Sequence, residues 1–170
     1  MTQDERRLYL IKALLAETPH SINDAIPADR DGQWRLLRSL MNVRPALPVS
    51  EDFLKVQDVY LSGLIAETGI TDADTLPAVS SDPRLAVWRG DITTLKIDAI
   101  VNAANSRMEG CWQPCHACID NCIHTFSGVQ LRLRCHELMT RQGYEEPTGQ
   151  AKITPGYNLP ARFVLHTVGP

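Results

Sequence analysis

From Asp4 to about Ala16, Leu8, Ile11 and Leu15 recur at the i, i+3, i+7 spacing of one helical face, with Leu10 and Leu14 widening the stripe and Thr18-Pro19 closing it. A second helical pattern runs through Trp34, Leu37, Leu40 and Met41. It stops at Arg44-Pro45, because a residue before proline is pushed out of the α region. Ser50 then offers an N-cap to a third helix whose stripe is Phe53, Val56, Tyr60 and Leu64, with Gly69 as its stop. Stripes of this kind are core-facing surfaces, so residues 1–80 predict a helical N-terminal extension.

The pattern changes after Leu76-Pro77 and the Ser80-Ser81-Asp82-Pro83 cluster, which reads as a linker or boundary turn. Leu85 to Trp88, Ala99 to Val101 and Phe163 to Val168 are short apolar runs bounded by turn residues, which predicts strands. A single long helix is predicted from about Ala117 to Gln142, with Ile119, Ile123 and Phe126 on one side and Gly143 as its stop. Strand, helix, strand with a buried first strand is the order of an α/β layer architecture, here over residues 81–170.

Composition narrows the function classes. A chain of 170 residues with 44% hydrophobic and 22% charged residues is a folded, soluble protein rather than a low-complexity one. Seventeen Lys and Arg against twenty Asp and Glu leave a formal charge of -3, so no field that recruits nucleic acid or anionic lipid is expected. The polar start Met1 to Arg7, and Lys12 inside the run Leu8 to Ala16, predict neither a signal peptide nor a membrane span. All five cysteines fall between Cys111 and Cys135, which favours a reduced, cytoplasmic protein with local thiol or metal chemistry over a disulfide framework.

Cys111, His116 and Cys118 sit five and then two residues apart on a segment leading into the long helix. Two thiolates and an imidazole suit tetrahedral zinc, and three protein ligands leave one position for water or substrate. Cys115, Cys122 and His124 are close enough to compete as ligands, Cys115 with Cys118 also forms a C-x-x-C pair suited to redox chemistry, and plain packing explains isolated members equally well. Asp91, in Gly90-Asp91-Ile92-Thr93, and Asn102 and Asn105, in Val101-Asn102-Ala103-Ala104-Asn105, follow predicted strands, where ligands of α/β sheets usually bind. Asp91 can accept from an exocyclic amine and an Asn can fix ribose hydroxyls; equally, Asp91 can cap a turn and the Asn residues can satisfy loop backbone.

Together, Gly90 to Thr93, Asp98 to Asn105, Gly110 to His124 and Leu165-His166-Thr167-Val168-Gly169-Pro170 resemble a macrodomain of the zinc-dependent bacterial protein-ADP-ribose hydrolase branch, over about Leu85 to Pro170. Leu37 to Arg44 is similar to the N-terminal extension which that branch carries. The resemblance implies a three-layer α/β/α sheet after the helical extension. It also implies a sheet incomplete at its C-terminus, since macrodomains continue beyond the His-Thr-Val-Gly-Pro strand. The implied activity is hydrolysis of mono-ADP-ribose from Asp or Glu side chains of a modified protein; ADP-ribose binding without turnover is the alternative. Asp91 would read the adenine amino group with Ile92 beside it, Asn105 would hold the distal ribose and so count among the catalytic residues, Asn102 would belong to the substrate site, and Gly110 to Cys118 would meet the diphosphate. Asp120 would help to activate water with His124 on the same face, and Cys111, His116 and Cys118 would hold the zinc.

Overall fold

A computed structural model describes residues 1–17 and 25–170; Thr18-Pro19, the expected stop of the first helix, lies outside the described residues. Helices α1 (Gln3–Glu17), α2 (Arg30–Val43) and α3 (Glu51–Thr68) follow the predicted order. Asp29 caps α2 by accepting the Gly32 N–H, Ser50 caps α3 by accepting the Phe53 N–H, and Gly69 ends α3 at φ 96°. Leu10, Ile11 and Leu14 of α1 meet Leu37 and Met41 of α2 and Phe53, Tyr60 and Leu61 of α3 in one cluster. Full burial of one such side chain contributes about 2 kcal/mol. The buried stripe of α3 is Phe53, Gln57, Tyr60, Leu61 and Ile65, rotated from the expected Val56 and Leu64. The rotation arises because α3 packs on two sides: Tyr60 and Leu61 face the other helices, whereas Ile65 enters a second cluster with Ile100, Ile123 and Val164.

The expected linker is instead structured. Strands β1 (Thr71–Asp72), β2 (Ala78–Val79) and β3 (Asp82–Ala86) follow α3, and β2 and β3 pair antiparallel across Ser80-Ser81. The strand expected over Leu85 to Trp88 therefore starts earlier, ends at Ala86 and is solvent-exposed, and the strand expected to be buried, Ala99 to Val101, is covered on one face only. Strand β4 (Leu95–Lys96) pairs parallel with β1.

The site stands on a three-stranded sheet of β5 (Ala99–Ala104), β6 (Ala151–Pro155) and β7 (Phe163–Val168), in the order β5-β7-β6. β5 runs parallel to β7, in register from Ala99 with Phe163 to Ala104 with Val168, while β6 is antiparallel. Ile100, Asn102, Thr154, Val164 and His166 point to the covered face. On the other face Val101 is 54% and Ile153 55% exposed, so the described residues supply two layers, with the expected third not among them.

Two helices, not one long one, join β5 to the rest: α4 (Ile119–Ser127) and α5 (Val129–Gln142). Gly128 separates them at φ 101°, a conformation glycine adopts without strain. The break is held by tertiary partners. Asn158 Nδ2 donates to the Ser127 carbonyl, Ser127 Oγ donates to the Gly156 carbonyl, and the first amide of α5, Val129 N–H, donates to Gln57 Oε1 on α3. The ring of Trp34 on α2 lies 5.9 Å from that of Phe126 on α4 in a tilted contact, so the N-terminal helices pack on the same helices that cover the sheet. Among the described residues no helix is long and apolar enough to cross a membrane.

Candidate active site and metal centre

Strand alternation fixes the first half of the site. Asn102 is in register with His166 across the β5–β7 ladder, and both side chains turn inward beneath α4. Asn102, 0% exposed, donates through Nδ2 to Asp120 Oδ1 at 2.7 Å and lies 3.1 Å from His166 Nδ1. Because an amide nitrogen only donates, His166 Nδ1 accepts, and its Nε2–H is left to donate to Thr154 Oγ1 at 2.9 Å. Asp120 occupies the first turn of α4, and His124, one turn on, places Nε2 3.6 Å from its Oδ1.

Burial governs the protonation of this cluster. It pushes the Asp120 carboxyl above its ordinary value, against the opposing donation from Asn102 and the charge of Arg132. It holds His124 well below the usual imidazole range, with His166 and Arg132 adding to the effect, and brings His166 down to about 4. Both imidazoles are therefore neutral at neutral pH.

An acid-labile fold follows. His166 binds a proton more readily in the unfolded chain, so its share of stability is complete above a pH of about 6.5 and is lost as the pH falls through about 4. The loss at full protonation is about 3 kcal/mol, and His124 acts in the same direction. Urea midpoints measured between about pH 7 and pH 4.5 should fall steeply in the native chain and more gently in His166→Gln; parallel slopes would show that His166 is not the sensor.

The second half of the site is the segment from Asn105 to Cys118. Asn105 fastens its start, donating to the Gly110 carbonyl at 3.1 Å and accepting the Arg107 N–H at 3.0 Å. Gly110 sits at φ 82°, and a Cβ there would lie 2.7 Å from the His124 ring, so only glycine lets the loop close over that imidazole. Cys111 Sγ then lies 3.6 Å from His116 Nδ1, and with Cys118 Sγ the three ligand atoms fall within 4.8 Å of one another. Cys111 and Cys118 are half-buried and His116 is exposed. This soft N/S set, open on its solvent side, fits a tetrahedral zinc with one position to spare.

The competing ligands are placed elsewhere. Cys115 donates its thiol to the Arg35 carbonyl at 3.3 Å, Cys122 Sγ accepts from the Arg38 guanidinium at 3.5 Å, and His124 is interior. All five thiols are free. His124, Cys135 and His166 also gather ligand atoms within 4.8 Å, but both His166 nitrogens are already engaged by Asn102 and Thr154.

Several predicted roles acquire a different geometry. Asn102 stands behind Asp120 and orients its carboxylate. Asn105 is exposed and bound to its own loop. Asp91 is exposed and caps the 3-10 turn Ile92–Thr94, its Oδ1 accepting the Thr93 N–H at 2.9 Å and the Thr93 hydroxyl at 2.7 Å, while Ile92 packs on the sheet-side cluster. Of the loop amides, Cys115 N–H donates to Asn42 Oδ1 and His116 N–H to the Gln113 carbonyl. A cleft of about 400 Å³ lined by Trp34, Tyr60 and Phe126 lies on the helical side and includes none of the predicted site residues.

Sequence reasoning missed Asn121, which donates to the Cys111 carbonyl at 3.4 Å and the Gln113 carbonyl at 2.9 Å. It also missed Arg132, whose guanidinium lies 4.1 Å from the Trp112 ring centroid and donates to the carbonyls of Glu109, Met41 and Arg44. The available signal was weak: Asn121 adjoins Asp120 in the same first helical turn.

Residues 101–170 match the Macro domain family. The whole chain is 62% identical to a protein named protein-ADP-ribose hydrolase from Treponema medium, of which it covers 66%. Over 95% of its length it is 53% identical to a protein of the same name from Staphylococcus aureus (strain MRSA252), covering 60% of that relative. The chain thus spans 60 to 66% of the length of these curated relatives. The crystal structure of a Trypanosoma brucei macrodomain in complex with ADP superposes with a TM-score of 0.53 at 30% identity, over 80% of this chain and 60% of that one. Helices α1 to α3 ahead of a mixed sheet, with α4 and α5 across its face, therefore make this chain a macrodomain in fold.

Proposed function

We propose that the chain is part of a zinc-dependent hydrolase that removes mono-ADP-ribose from acidic side chains of modified proteins. The observation that carries this reading is the open Cys111, His116, Cys118 trio at the N-terminus of the helix that also presents Asp120. The names and identities of the Treponema and Staphylococcus relatives support it. Zinc held there would supply a Lewis acid that orients the distal end of the substrate and lowers the pKa of a water.

The chain's own residues do the rest. Asn102 pins Asp120 Oδ1, and burial raises the carboxyl's affinity for a proton, so Asp120 serves as the general base. His124, held neutral by burial, forms no ion pair with this carboxylate. The start of α4 and the loop before it give a partly positive end to an anionic diphosphate. Asp91 and Asn105 are assigned to the adenine and the distal ribose; their present partners, Thr93 and the 107–110 loop, are ones that a ligand would exchange. Five free thiols support a reducing, cytoplasmic setting.

The test is elemental analysis and calorimetric titration with ADP-ribose on one preparation, followed by a hydrolysis assay on an ADP-ribosylated protein. About one zinc per chain is expected, with saturable binding, and with turnover lost on chelation while binding persists. Full turnover after metal removal would sink the zinc reading, and binding without turnover in the zinc-loaded whole protein would make it an ADP-ribose reader.

A further inference from the structure

We propose that Arg38 and Asn42 of α2 are positioning residues for the metal loop, so that the N-terminal helices set the geometry of the ligands. This rests on the zinc reading above and goes beyond it.

The two residues are one helical turn apart, so both side chains leave α2 on the side that faces the loop. Cys115 is held at φ 54°, a left-handed conformation uncommon outside glycine, and its N–H is accepted by Asn42 Oδ1 at 2.9 Å. Asn42 Nδ2 donates in turn to Thr125 Oγ1 at 3.0 Å on α4, so one buried amide ties loop and helix to α2. Arg38 Nη2 donates to the His116 carbonyl at 2.7 Å and to Asn121 Oδ1 at 2.8 Å. The oriented Asn121 side chain donates to the Cys111 carbonyl, and its backbone N–H donates to Cys118 Sγ at 3.4 Å.

Each ligand residue is therefore reached from α2. The His116 carbonyl is held directly by Arg38 and the Cys111 carbonyl through the Asn121 side-chain amide that Arg38 fixes, whereas Cys118 is reached less directly, its Sγ accepting from the backbone N–H of the same Asn121 at the start of α4. Outer partners of this kind orient ligands, and their loss weakens metal affinity by roughly 10- to 100-fold.

The experiment compares the native chain with Arg38→Met, Arg38→Lys, Asn42→Leu and Asn42→Asp. Zinc release to a chromophoric chelator, the visible spectrum after cobalt substitution, and hydrogen exchange across residues 111–121 are recorded. Arg38→Met and Asn42→Leu should bind zinc roughly 10- to 100-fold more weakly with an altered cobalt spectrum. Arg38→Lys and Asn42→Asp, which restore a donor to His116 and an acceptor for Cys115, should recover part of the loss. The Cys115 amide should exchange much faster in Asn42→Leu. Unchanged affinity, spectrum and exchange would overturn the clamp while leaving the zinc reading intact.

If the native chain takes up no zinc, the zinc reading fails separately. The clamp is then judged on exchange alone: faster exchange supports it, and unchanged protection removes it. If Asn42→Leu does not fold, the partly exposed Arg38 pair decides by the same criteria over residues 116–121.

Discussion

Cys118→Ser is expected to reduce bound zinc from about one equivalent to near zero and to lower hydrolysis by the whole protein by at least about a hundredfold, while α1 to α3 stay folded. Cys118 has two roles that a single substitution normally confounds. Its thiol belongs to the metal trio, and it is also the N-cap of α4, with Sγ accepting the Asn121 N–H at 3.4 Å. Serine keeps an acceptor for that N–H and removes the thiolate. Cys118→Ala removes both, so it should melt lower than Cys118→Ser by the worth of a cap, about 1 kcal/mol. Metal content by elemental analysis, thermal unfolding and turnover then separate ligand from cap. A serine variant with native zinc and native turnover would end the claim that Cys118 is a ligand; a serine variant without zinc but with native turnover would end the claim that the metal is catalytic.

The legible features of this chain are the local ones. Helices α1 to α3 and strands β5 and β7 follow from periodicity and from caps such as Ser50 and Gly69, which act within a few residues. The Cys111, His116, Cys118 spacing also proved sufficient to gather three ligand atoms, because the loop and its helix are contiguous. What escaped was settled by distant partners. The break at Gly128 depends on Gln57 of α3 and on the Gly156 to Asn158 turn, so a local helical pattern running through it looked unbroken. Strand β6 is short, ends at Pro155 and among the described residues pairs only with β7, so little in Ala151-Lys152-Ile153-Thr154-Pro155 announces it. Strand parity was the missed signal for the Asn residues. Once Ile100 is inward, Asn102 must be inward too, whereas Asn105 lies past the end of β5 and is free to serve the loop.

Asp120→Asn is expected to lower turnover by roughly a hundred- to ten-thousandfold, to leave ADP-ribose affinity within a few-fold of native, and to leave stability at neutral pH unchanged or higher. The first two effects follow from its assignment: Asn keeps the oxygen that accepts from Asn102 Nδ2 at 2.7 Å but is no longer a base. The third follows from burial. Asp120 is 5% exposed and its carboxyl is pushed above its ordinary value, so the folded chain binds the proton more readily than the unfolded one. Its contribution is therefore most favourable at low pH and is lost as the pH rises through the folded pKa. Above that point the native protein carries a buried charge which the amide relieves. The same shift requires the acid limb of the rate profile to lie above the position expected for an ordinary aspartate and to disappear from any residual activity of the variant. A residue retained only for structure would show the opposite signs, with Asp120→Asn melting lower and turning over normally. Equal losses of affinity and rate would move Asp120 from water activation to ribose binding.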